Sequence, residues 1–174
     1  MHILIVGNSD TNRAGFVDAL LAQLAPKPKF YGYRSTKEAE GPDGRAPIYI
    51  YPAQGQRQQS EKNLLGWCKA KKAQVRPEAF TQNAFLIEDA KPDGLLVMDE
   101  IGPMESRSPR FCTAVLAALD GDVPILATVR DNDTPFLDQV RSHPNAHCFY
   151  LTNETAQAEF PRVLSALEEQ LKGT

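Results

Sequence analysis

Asp99 and Glu100 are the side chains of this sequence best placed to do chemistry. They stand together in the stretch LLVMDEIGPMES, directly after the unbroken apolar run Leu95, Leu96, Val97 and Met98 and just before a Gly-Pro pair. A short apolar run bounded by turn residues suits a central strand of a parallel sheet, covered on both faces. Carboxylates at the carboxyl end of such a strand lie on the rim where open α/β sheets bind ligands. There Asp99 is placed to hold Mg²⁺, directly or through water, and Glu100 to orient or deprotonate an attacking water. The plainer alternative is a buried strand that ends in two solvated acids at a turn.

A second chemical stretch follows the first strand. Residues 2–6 are β-branched and apolar and end at Gly7, and residues 12–25 show helical spacing, with Val17, Leu20, Leu21 and Leu24 on one stripe. Strand, tight loop and helix is the layout of a phosphate-binding loop, G-x-x-x-x-G-K-[ST], whose backbone amides surround phosphate. The candidate nucleotide-binding residues are therefore Gly7, Asn8, Ser9, Asp10, Thr11, Asn12, Arg13 and Ala14. Only Gly7 fits the pattern. Asn12 stands at the second glycine, Arg13 at the lysine and Ala14 at the hydroxyl.

The elements that must position these groups alternate. From residue 77 onward the order is helix (77–90, with Phe80, Ala84, Phe85 and Ile87 inward), strand (95–101), helix (108–119), strand (123–129), helix (135–142), strand (146–151) and helix (157–171). That alternation predicts a parallel sheet with helices on both faces. Before it, residues 29–34 and 48–51 read as strands around the turn signal GPDG, which predicts a β-hairpin. Residues 52–76 carry six Lys and Arg against the single acid Glu61. They read as a basic, solvated and partly mobile surface excursion, with Trp67 packing back on the body.

Composition sets the outer limits. The 174 residues, 42% hydrophobic and 24% charged, suit one soluble globular domain over residues 1–174. A net charge of −3 argues against a dedicated nucleic-acid binder. No apolar run approaches the ~18–20 residues of a membrane span. The amino terminus reads as a first strand and not as a signal peptide. Cys68, Cys112 and Cys148 match no zinc or disulfide spacing, so reduced thiols in a cytoplasmic protein are expected. His143 and His147 read as surface groups, and Asp131 and Asp133 as a solvated turn on the same rim.

Three segments together resemble the small nucleoside-triphosphatase family, of the cancer-related nucleoside triphosphatase type. Asp99, Glu100, Ile101, Gly102, Met104, Glu105, Ser108 and Phe111 match its D-E-I-G-x-M-E-x-x-S-x-x-F signature. Gly32, Thr36, Glu38 and Arg45 are similar to its G-F-x-T-x-E … G-x-R segment, and the loop at Gly7 is the third match. The resemblance implies a three-layer P-loop NTPase fold, RecA-like or kinase-like, with a mostly parallel sheet and a β-hairpin insertion. It also implies hydrolysis of nucleoside triphosphates with Mg²⁺ on Asp99, Glu100 as base and Arg13 in the lysine's place.

The departures point the other way. The family loop resembles G-x-x-G-x-G-K-T, and here Asp10, Asn12, Arg13 and Ala14 replace four of its positions. A carboxylate at Asp10 facing a phosphate at ~4 Å would repel it by roughly 4 kcal/mol at an effective dielectric of ~20. One lost charge-assisted hydrogen bond adds ~1.5–3 kcal/mol. Asn153-Glu154 stands where the family has N-R, and Ala46-Pro47 where it has G-F. The expected function is thus a degenerate P-loop protein that binds triphosphate weakly or not at all and acts as a binding or scaffold module. A working Mg-dependent nucleoside triphosphatase ranks second and a nucleotide or small-molecule kinase third. No sequence-specific nucleic acid and no membrane is expected as a partner, and a protein partner stays open.

Overall fold

The computed structural model describes residues 1–173. One eight-stranded sheet organises the chain, in the order β5-β4-β3-β2-β6-β7-β1-β8. Five strands run parallel: β2 (Lys29–Lys37), β6 (Gly94–Ile101), β7 (Ile125–Arg130), β1 (His2–Gly7) and β8 (Ala146–Tyr150). β3 (Ala46–Pro52), β4 (Leu64–Lys69) and β5 (Lys72–Val75) extend it antiparallel beyond β2.

Alternation along each strand builds two cores. Leu4, Val6, Leu96, Met98, Ala127 and Val129 face one side. There they meet α2 (Pro77–Asn83), α3 (Phe85–Glu88), α4 (Pro109–Asp120) and α5 (Pro135–Arg141). Ile3, Ile5, Leu95, Val97 and Leu126 face the other, against α1 (Arg13–Gln23) and α6 (Ala156–Lys172). Each fully buried Leu, Ile or Val contributes about 1.5–3 kcal/mol, so the near-continuous apolar runs of the central strands explain the three layers.

Three expectations change. The helix expected over 77–90 is two pieces that meet at Ala84. Phe85 opens the second piece and is 47% exposed, while Phe80 and Ile87 are buried as expected. The excursion over 52–76 is in large part a β-hairpin, with β4 and β5 joined through Ala70 and Lys71, both at positive φ. Gly66, at φ +150°, lets β5 approach, since a Cβ there would lie 2.0 Å from the Gln74 carbonyl oxygen. No helix among the described residues is long and apolar enough to cross a membrane.

Candidate active site

The loop after β1 and the tip of β6 meet at one rim because both strands flank β7. Gly7 pairs with Arg130 of β7, and Ile101 with Val129. The β6–β7 register shifts between Met98 and Ile101, and the Asp99–Glu100 peptide is cis. Gly7 and the acidic tip share this rim, and Arg13 and Glu100 bridge it directly, 2.7 Å apart.

The loop's own groups close it. The Asn8 side-chain oxygen accepts the Asp10 amide at 3.0 Å, the Thr11 amide at 3.1 Å and the Thr11 hydroxyl at 3.0 Å. The Asn12 amide donates to the Asn153 side-chain oxygen at 3.0 Å, and Asn153 returns a donor to the Asp10 carbonyl at 2.7 Å. The Arg13 amide donates to the Thr11 carbonyl. Asn12 caps α1 by accepting the Gly15 amide, the usual work of an N-cap side chain. Four amides in the stretch where a phosphate-binding loop needs donors thus already have protein partners. Ser9, Asp10 and Ala14 are exposed, so the Asp10 carboxylate is not held in the loop's interior.

Arg13 is buried beneath this loop. Its guanidinium donates to the carbonyls of Gly7 and Asn8 and to the Glu100 carboxylate, while its Nε is buried without a partner. Glu100 also accepts Arg130 Nε at 3.0 Å. Two guanidinium groups from different elements therefore fix both oxygens of the carboxylate expected to act as base.

Asp99 is held more tightly still. Its oxygens accept Arg34 Nε at 2.6 Å and the Thr128 hydroxyl at 2.5 Å. Arg34 reaches on to Asp18 of α1 at 2.8 Å and to the Ala14 carbonyl at 3.4 Å. Burial works against the Arg34 charge, but Asp99 and Asp18 more than offset it, so its pKa rises. Mg²⁺ needs near-octahedral oxygen ligands at short range. Here Asp99 already has a cation and Ala14 offers no hydroxyl. The residues present do not fit a resident Mg²⁺.

Behind the tip, Glu105 accepts the Gly102 amide at 2.7 Å and orders the turn. Desolvation, then the Glu100 charge, pushes its carboxyl up to about 8. Desolvation, then the carboxylates of Glu105, Asp99 and Glu100, also raises the buried Tyr33 phenol, which donates to the Glu100 carbonyl at 3.0 Å. In front of the tip lies a cleft of about 530 Å³, lined by Arg13, Lys37, Lys71, Glu100, Met104 and Arg130.

Arg34, Thr128, Arg130 and Asn153 are the site residues that sequence reading did not single out for these roles. Arg130 and Thr128 end a strand on the same rim, which was a usable signal. Arg34 had none, because its partner lies 65 residues away. Asp131 and Asp133 are exposed, and His147 is exposed with its ring 4.5 Å from that of Phe149. His143 is half-buried and lies 3.2 Å from Asp120.

The comparisons with known proteins agree with this architecture. Over 97% of the chain the structure is similar to that of THEP1 from the hyperthermophile Aquifex aeolicus, with a TM-score of 0.74 at 23% identity and 99% of that chain covered. It is also similar to a human cancer-related nucleoside triphosphatase, with a TM-score of 0.69 at 18% identity and 97% of each chain covered. At those identities the likeness shows the fold. In sequence, 40 residues are 55% identical to nucleoside-triphosphatase THEP1 of Thermofilum pendens, covering 23% of this chain and 22% of the relative. Another 79-residue match is 39% identical to nucleoside-triphosphatase THEP1 of Thermococcus kodakarensis, covering 45% and 41%. The chain thus matches less than half the length of these curated relatives. The NTPase family model matches residues 2–164, nearly the whole chain, and with the fold in hand the chain belongs to the NTPase family.

Proposed function

We propose that this chain keeps the NTPase fold but holds nucleoside triphosphate weakly or not at all, and works as a binding module instead of a hydrolase. One observation carries the reading: the Asn8 side-chain oxygen takes the Asp10 and Thr11 amides that a phosphate would need. The two hydrogen bonds are worth about 1–2 kcal/mol together. Admitting Mg²⁺ at Asp99 also displaces Arg34, which would keep Asp18 alone as its carboxylate, at a cost of up to ~3–5 kcal/mol. With tenfold in affinity for each ~1.4 kcal/mol, the two terms remove several decades. The rim cleft, inside the usual size range for small-molecule sites, is where such a module would take its ligand.

The competing reading is a working triphosphatase in which Arg13 replaces the lysine. The Arg13–Glu100 pair favours it, because it places a cation between loop and base. Isothermal titration with Mg-ATP and Mg-GTP, run beside a phosphate-release assay, separates the two. Little or no heat and no release is expected. Micromolar binding with release abolished by Glu100→Gln would establish the triphosphatase instead.

A further inference from the structure

The antiparallel extension has a character of its own. Residues 45–76 hold seven of the chain's 19 Lys and Arg and one of its 22 acids, so an acidic protein carries a strongly basic lobe. Charge asymmetry of this kind is a recognised footprint of polyanion binding.

Register sorts the lobe's side chains onto two faces. Trp67 pairs with Pro47 and Gln74, Tyr49 with Thr36, and Lys69 with Lys72. Residues 47, 49, 67, 69, 72 and 74 therefore share one face. The opposite face buries Ile50 and Leu65 against the helical layer and turns Ile48, Cys68 and Ala73 toward the rim cleft. On the first face, α1 and α6 cover the parallel strands, and their core reaches only Phe30 and Ala53 at its margin. Trp67 and Tyr49 are half-buried there, and Lys69 and Lys72 are exposed. Arg45, paired with Asp43 at 2.5 Å, lies over the Trp67 ring, 5.4 Å from its centroid, so a planar cation covers this ring face where a base would stack. Tyr49 stacks on Tyr51, which is buried, donates its hydroxyl to Glu38 at 3.2 Å and has Arg57 5.7 Å from its ring.

We propose that this face binds single-stranded nucleic acid without sequence preference, stacking bases on Trp67 and Tyr49 while Arg45, Lys69 and Lys72 follow the phosphate backbone. Half-exposed aromatic rings on a sheet, rimmed by cations, are how single strands are held: every base offers a π-face, and the charges track the backbone. A duplex hides its base faces, so it gains only the charge contribution. A base that stacks on Trp67 displaces the Arg45 guanidinium sideways, toward the adjoining phosphate. This site lies on the far side of the extension from the rim cleft and does not depend on the state of the loop.

Trp67 is the only tryptophan, so the full chain reports on its own binding. Titrating a 12-nucleotide oligo(dT) at ~0.1 M salt is expected to quench Trp67 emission with a Kd of about 10 µM, in the range of non-specific binding. Three phosphate contacts predict a slope of about −2 in log K against log salt. Anisotropy of an end-labelled oligo(dT) then tests variants. Trp67→Ala is expected to weaken binding about tenfold, and Trp67→Phe to keep most of it. The double variant Lys69→Glu/Lys72→Glu alters exposed strand ends only and is also expected to weaken it. No quenching, a duplex of the same length binding as tightly, or an inorganic polyphosphate of equal charge binding as tightly would each overturn the proposal.

Discussion

The loop after β1 and the tip of β6 face each other across one rim and are closed by different means. In the loop the neutral carboxamides of Asn8 and Asn153 take the backbone amides, while Arg13 holds the Gly7 and Asn8 carbonyls from beneath. The tip keeps its whole DEIGPME signature, yet charged groups close it: Arg34 on Asp99, and Arg13 with Arg130 on Glu100. Neutral hydrogen bonds are worth about 1 kcal/mol each, whereas breaking a buried ion pair costs ~3–5 kcal/mol. Losing one partner is therefore costlier at Asp99 than at any single loop amide. The partners of the tip's carboxylates lie outside the motif, chiefly Arg34, which also ties α1 to β6 through Asp18.

The sharpest way to break this comparison is Arg34→Met. It leaves Asp99, only 5% exposed, with the Thr128 hydroxyl as its remaining partner. A loss of about 3–5 kcal/mol in urea unfolding is expected. A loss below ~1 kcal/mol would place Arg34 among weak surface pairs and remove the contrast with the loop.

Glu105 gives a pH-dependent version of the same test. Its folded pKa, raised to about 8, means that the folded state binds more protons than the unfolded state above the ordinary carboxylate range. Its contribution to stability is harmless in acid and worsens as pH rises from about 5 to about 8, by on the order of 1 kcal/mol per pH unit. Glu105→Gln, which keeps an acceptor for the Gly102 amide, should flatten that slope and be more stable than the parent at pH 8. Equal slopes in the two proteins would show that the turn behind the tip is not under this strain.

The smallest effect is expected in the loop. Asn8→Gly removes the acceptor from two amides and a hydroxyl and should cost about 1–2 kcal/mol, read as a lowered urea midpoint. It should also raise affinity for Mg-GTP, because the amides are released. A stability loss with no gain in nucleotide binding would move the block from the loop to the tip alone.

Much of this geometry was readable in the chain. The apolar run before Asp99 marked a central strand, alternation from residue 77 marked the parallel layers, and GPDG marked the β2–β3 hairpin. The β4–β5 hairpin was not readable, because its turn uses Ala70 and Lys71 at positive φ, where glycine or asparagine is the usual signal. Phe85 was placed inward because the helical period was carried through Ala84, where the helix restarts. The site's candidate residues were legible as types, but their partners were not. Arg34 finds Asp99, and Asn153 finds the loop, only through sheet order, and no local pattern encodes a contact over 65 or 141 residues.

The Asp10 and Thr11 amides decide whether the loop is closed to phosphate, and their resonances in a proton–nitrogen correlation spectrum report on them directly. Titrating Mg-GTP into the full chain should leave both peaks in place at nucleotide concentrations where a working phosphate loop is saturated, while Asn8→Gly lets them move. Saturable shifts of these two amides in the unmodified chain would mean that the loop opens to phosphate, and the closed-loop account would fall.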